Sequence, residues 1–202
     1  MINSQNNPKF SCVRCGNCCK DKNTIVNLTY SDILRIKNGL KLSLDELLDI
    51  LGFYIFPSSI NKRIKKRLVI PPLKTQKGLS FVGLMKSKDG KCIFYDDKNK
   101  KCLIYSIRPN FCRTFPFTFI IDENDPEKIR ILITEKGKDY CLGLKEDAPK
   151  IIKKNWLRLG KRVLKDLKIN ADFIRNWNIS VELDKINPSV KNFLLKIIKM
   201  ED

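Results

Sequence analysis

The sequence predicts an α+β protein: a small antiparallel sheet with hairpins, a cysteine cluster at the N-terminus and helices at the C-terminus. Three observations carry this expectation. Apolar residues from 30 to 51 recur at helical spacing behind hydroxyl caps. From 68 to 135, β-branched and aromatic runs alternate with turn residues. After Pro149 the helical period returns.

Taken in order, Thr29 or Ser31 caps a helix over YSDILRIKN, with Gly39 as its stop. Ser43 and Glu46 form a capping box for LDELLDIL, closed by Gly52. The strand candidates are LVI, LSFVGLM, KCIFY, CLIY, FPFTFII and KIRILIT, divided by Pro-Pro, Asp-Gly, DDKNKK and ENDP turns. Beyond Pro149, Ile152, Trp156, Leu159, Val163 and Leu167 share one helix face, opposite Lys153, Lys154, Arg158, Lys161 and Lys165. Asn187-Pro188 supplies the N-cap and first residue of a last helix, SVKNFLLKIIKM. The expected organisation is a cysteine-cluster metal-binding domain over 1–148, with a helical extension over 149–202 packed on it as one unit.

The chemistry lies in the cysteines. Cys12, Cys15, Cys18 and Cys19 fall within eight residues, and Cys92, Cys102, Cys112 and Cys141 follow along the chain. The chain has no histidine. A Ser-His-Asp triad, a Cys-His dyad and a histidine-ligated zinc hydrolase are thereby excluded. A soft metal would be held by sulfur, which points to structural zinc or an iron–sulfur cluster. A loop bearing C-x2-C turns back on itself, so both thiolates reach one centre. Cys12-x2-Cys15-x2-Cys18 matches the opening of the bacterial ferredoxin run, without its x3-C-P continuation. The spacing leans towards iron–sulfur.

Geometry within the cluster has two readings. If residues 12–19 are helical, Cys12, Cys15 and Cys19 share a face and Cys18 turns about 100° away. If Gly16 breaks the helix, Cys18 can complete a loop-type site. Neighbouring side chains seldom share a metal, so Cys18 and Cys19 are expected to serve two centres, or one of them to be a spare. Cys92 and Cys102 flank a predicted hairpin. A four-residue loop at 97–100 would set their side chains on opposite faces, and an odd-length loop would bring them to one face. Arg108 and Arg113 are expected to offset the negative charge of the centre and to donate to its sulfurs.

The formal charge of +18 suggests a polyanionic partner, an acidic protein surface before nucleic acid. Each zinc held by four thiolates would remove two positive charges. The densest run, NKRIKKR at 61–67, has no interleaved aromatic residues on which bases could stack. The opening residues lack the apolar core of a signal peptide, and no apolar run is long enough to span a bilayer. A cytoplasmic setting is therefore expected, where thiols stay reduced and four disulfides are disfavoured.

These residues closely resemble the cysteine-cluster family of zinc- or iron-chelating proteins (CxxCxxCC, YkgJ-type). The match runs Cys12-x2-Cys15-Gly16-x-Cys18-Cys19, then Cys92, then Cys102-x2-Tyr105-x2-Arg108-Pro109-x2-Cys112-Arg113-x-Phe115-Pro116, then Cys141. It covers roughly residues 10–145. The resemblance implies metal or iron–sulfur binding by all eight cysteines, with a [4Fe–4S] cluster or zinc as the occupant. One branch of that family methylates flagellin lysines with S-adenosylmethionine. The alternative it implies is a group-transfer enzyme, with Tyr105 and Tyr140 as acid–base candidates. No Gly-rich strand–turn–helix supports a doubly wound methyltransferase fold.

Overall fold

Thr29 and Ser43 decide where the first long helices begin. In the computed structural model, which describes residues 8–56, 68–122 and 125–200, both form complete capping boxes. Thr29 caps helix α2 (Tyr30–Leu40), with Asp32 reaching back, and Ser43 caps α3 (Leu44–Ile50), with Glu46 doing the same. A single turn, α1 (Asn17–Lys20), precedes them. Gly39 is not the stop expected of it. α2 ends one residue later, with Lys41 in the left-handed region at φ 56°. Gly39 instead admits a close neighbour: a Cβ there would lie 2.6 Å from Ile107 Cδ1.

The strands form three small antiparallel sheets in place of one. The first has the order β1 (Leu51–Ile55), β3 (Gly78–Leu84), β2 (Leu73–Thr75). The second pairs β4 (Tyr95–Asp96) with β5 (Lys101–Cys102), and the third pairs β6 (Phe117–Asp122) with β7 (Asp125–Ile133). Turns split the middle region: Tyr95 N–H donates to Cys92 O and Ile107 N–H to Ile104 O, so KCIFY and CLIY each give only a short strand. LVI forms bends, because Pro71-Pro72 follows it without amide donors. The sequence reading missed β1. Gly52 lies inside it, opposite Gly83.

Between β5 and β6 stands the turn-and-a-half α4 (Asn110–Thr114), and after β7 comes α5 (Glu135–Tyr140). The chain beyond Ile152 is helical as expected. α6 (Lys153–Glu182) runs for 30 residues, and α7 (Val190–Ile198) is capped by Ser189, not Asn187. Ser189 Oγ accepts from Asn192 N–H, while Asn187 Oδ1 accepts from Ser189 N–H.

α6 joins the layers. Trp177, 1% exposed, donates its indole N–H to Lys74 O at 2.9 Å. Asn178 brackets β2 from both sides, accepting from Lys74 N–H and donating to Pro72 O. The main core gathers Ile33, Leu47, Leu73, Ile174, Trp177 and Leu194. A separate aromatic cluster lies at the start of α6, where Phe10, Phe117 and Trp156 meet edge-to-face at 4.7–5.9 Å. Gly160 lets β6 approach, since a Cβ there would lie 2.5 Å from Phe119 Cδ1. Among the described residues no helix is long and apolar enough to cross a membrane.

Candidate metal centre

Gly16 settles the conformation of the first cysteine segment. It adopts φ 74° and caps α1, so residues 10–16 are not helical and the loop reading holds. Cys12 and Cys15 lie on the loop, and Cys18 and Cys19 in the turn of helix after it. The loop is anchored along the segment that follows α5. Phe10 N–H donates to Pro149 O, Ser11 N–H to Gly143 O, and Ile151 N–H to Pro8 O, at 2.9–3.1 Å. This pairing brings Cys141, the residue that ends α5, beside Cys12 and Cys15. Burial pushes the Cys141 thiol pKa up, and the charges of Cys15 and Cys12 add to it.

The middle cysteines reach the other flank of the cluster. Cys92 N–H donates to Cys19 O at 2.8 Å, tying the two groups through the backbone. The loop between β4 and β5 has the four residues that were expected to separate Cys92 from Cys102. It does not separate them. Cys92 has already left the hairpin through the Cys92–Tyr95 turn, and both thiols line one cavity.

That cavity, of about 160 Å³, is bordered by Cys12, Cys18, Cys19, Cys92, Cys102 and Cys112. A second cavity, of about 370 Å³, is bordered by Cys12, Cys15, Cys18, Cys112 and Cys141. The two share Cys12, Cys18 and Cys112 as a common wall, and between them they touch all eight cysteines.

In the small cavity the thiols form a hydrogen-bonded chain. Cys18 Sγ and Cys19 Sγ are 3.9 Å apart. Cys19 is hydrogen-bonded with Cys18, either thiol being able to donate, and interacts with Cys102 as well. It thereby lowers the Cys18 pKa to about 7, further helped by the charge of Arg108, and that of Cys102 to about 6, while its own is driven up. Burial raises the pKa of Cys92 and, more strongly, of Cys112. Among the described residues, no three cysteine or carboxylate side chains are grouped closely enough to hold a metal ion as they stand. The donor set nevertheless suits one. Sulfurs about 2.3 Å from a tetrahedral metal lie about 3.8 Å from each other, close to the Cys18–Cys19 separation. Cys18 and Cys19 both border the smaller cavity, and Cys18 also borders the larger.

Arg108 borders both cavities, with its guanidinium carbon 4.0 Å from the Tyr105 ring centroid. Arg113 borders only the larger. Tyr105 also receives Arg14 at 4.7 Å, which makes it a platform for two cations. Tyr140 is 44% exposed, with Lys136 5.4 Å from its ring centroid. The run 62–67 lies outside the described residues.

The sequence reading also missed what holds this region. Arg35 donates to Ile107 O, Arg108 O and Asn110 Oδ1, and is ion-paired with the buried Asp32. Asp32 accepts from Thr29 N–H and Asn110 N–H. Burial pushes its pKa up, and these donors and the Arg35 charge oppose that. The pair locks the segment 107–110, which carries Arg108 and leads into Cys112. An i, i+3 Asp–Arg pair on a helix reads as an ordinary surface pair, and nothing in the sequence marks this one as buried.

The profile of one family matches residues 11–142, the CxxCxxCC family, described as "Putative zinc- or iron-chelating domain". The chain belongs to this family. It is similar to an uncharacterized protein of Methanocaldococcus jannaschii, 32% identical over 135 residues, a stretch that covers 67% of this chain and 58% of the relative. The chain thus matches somewhat over half of that relative's length. No solved structure matches. Membership of this family supports a metal-binding role.

Proposed function

We propose that this CxxCxxCC protein holds an iron–sulfur cluster of the [4Fe–4S] type on its cysteine thiolates and serves a structural, redox or accessory role for a partner. The observation that carries the reading is the pair of adjoining cavities bordered by all eight cysteines. Cys18, Cys19, Cys92 and Cys102 would ligate in the smaller cavity. Cys12, Cys15 and Cys141 would ligate in the larger, with Cys112 on the shared wall open to either. When bound, such a cluster supplies one-electron chemistry at a potential set by nearby hydrogen bonds and solvent access. The chain's own part is to hold thiolates together and to offset their charge. Arg108 does this for Cys18 and Cys102, and Arg113 stands on the far side.

Zinc is the second reading, favoured by the 3.9 Å Cys18–Cys19 separation. Lysine methylation with S-adenosylmethionine is a weaker reading. The sheets among the described residues are all antiparallel, so they offer no doubly wound crevice. An acidic protein surface remains the expected partner. Nucleic-acid association would show as steeply salt-dependent binding lost on neutralising residues 62–67.

Anaerobic purification, metal analysis and a visible spectrum test the proposal. A brown protein with about four irons per cluster is the expected result. A colourless protein with stoichiometric zinc would replace the cluster by zinc. Eight free thiols without metal would overturn both.

A further inference from the structure

We infer that the cavity bordered by Cys12, Cys15 and Cys141 binds a small planar oxyanion, a molecule with a carboxylate or phosphate on a flat, ring-like body, beside the metal centre. The inference extends the metal-centre reading, but the groups that would hold the ligand are the chain's own. At about 370 Å³ the cavity falls within the range of small-molecule sites. Arg14, Arg108 and Arg113 border it, and among the described residues no aspartate or glutamate does. The arginine ion pairs among the described residues belong to Arg35, Arg130 and Arg175, so these three guanidiniums keep their forks free of carboxylate.

Such crowding of cations is costly unless an anion joins them. Arg14 is held with its backbone in the left-handed region, at φ 52°, a conformation that disfavours a side chain at that position. Thiolates on the shared wall would take up part of the charge of Arg14 and Arg108, which border both cavities. Arg113 borders only the larger one and is the guanidinium left for a ligand.

The remaining walls are aromatic. Phe10, Phe115 and Trp156 border the same space. A flat body can lie against them while its oxyanion takes two parallel N–H bonds from a guanidinium fork. An inorganic anion would meet the arginines and leave these walls unused.

Calorimetric titration of the metal-loaded protein with benzoate, adenosine monophosphate, inorganic phosphate and adenosine tests this. Benzoate or the nucleotide should bind more tightly than phosphate or the neutral nucleoside, and less tightly as salt is raised from about 50 to about 500 mM. Which of the two binds says whether the head group is carboxylate or phosphate. Arg113→Gln should weaken binding about tenfold or more, as expected for a lost bond to a charged group, and Arg14→Gln, whose charge the thiolates share, by less. Arg113→Lys should recover part of the loss, and Arg175→Gln, remote from the cavity, none of it should cost. No binding of either planar anion to a protein with its metal in place would overturn the inference, as would binding indifferent to Arg113→Gln in a folded variant. A preparation without metal would instead sink the preceding proposal, and the titration would still report on the arginines.

Discussion

Hydrogen bonding with Cys19 lowers the thiol pKa of Cys18 and of Cys102, favouring both as thiolates, and the Arg108 charge adds to this. Metal binding requires thiolates, and protons compete for them. Arg108→Gln should therefore raise both thiol pKa values and move acid-driven metal release to higher pH. An acid titration followed by visible absorption or a chelating dye checks it, and an unchanged midpoint would exclude Arg108 from the centre's electrostatics. Asp21 is a second residue-scale case. Burial works against its charged form, but hydrogen bonds from Lys136, Thr24 and the Asn23 N–H outweigh that and hold the pKa down at about 2, below the usual 3.8. A depressed pKa contributes stability above the unfolded value and loses it as pH falls through the folded one. Asp21→Asn should cost about 1–3 kcal/mol near neutrality. The gap between variant and wild type in urea unfolding should then close as pH falls from 3.8 towards about 2.

At the scale of elements, Gly16 and Arg35 show how the sequence encodes the site. Gly16 turns the chain from loop to α1 at φ 74°, and a Cβ there would lie 2.5 Å from the Tyr95 hydroxyl oxygen. Gly16→Ala should cost about 1–2 kcal/mol for the left-handed backbone alone. It should also lower metal occupancy by displacing Cys15 from Cys18, which metal analysis of the purified variant would reveal. Arg35→Gln removes the clamp on 107–110. Breaking a buried pair costs about 3–5 kcal/mol, and Arg35, 24% exposed, should cost somewhat less in thermal or urea unfolding. The capping boxes at Thr29 and Ser43 and the helical tail were legible because each is a local pattern of hydroxyl, carboxylate and apolar period. The eight cysteines were legible as chemistry. Their division between two cavities was not, because it depends on the Cys92–Tyr95 turn, which no apolar period marks, and on pairing between residues 8–11 and 143–151, more than a hundred residues apart. The separation of the sheets was hidden for the same reason, since short apolar runs do not say which partner they will pair with.

Over the whole molecule, the cysteines and the main core are distinct assemblies, and the two tryptophans report on them separately. Trp177 is 1% exposed and lies in the core with Ile174 and Leu194, held by its bond to Lys74 O. Trp156 packs on Phe10 and Phe117 and borders the larger cysteine cavity. Phe10 leads directly into Cys12, so a metal that fixes the cysteine loop also fixes the ring against which Trp156 rests. A ligand that binds only the folded form stabilises it, and its removal acts first on the contacts it orders. Chelation should therefore shift Trp156 emission to longer wavelength, read in a Trp177→Phe variant. Trp177 emission, read in a Trp156→Phe variant, should stay unchanged until denaturant unfolds the core. The main core draws its stability from α2, α3, α6 and α7 and has Cys92 and Cys102 only at its edge, which is why it should outlast the metal. If Trp177 emission shifted together with that of Trp156 on chelation, the metal would be holding the entire fold, and the core would be too weak to stand without it.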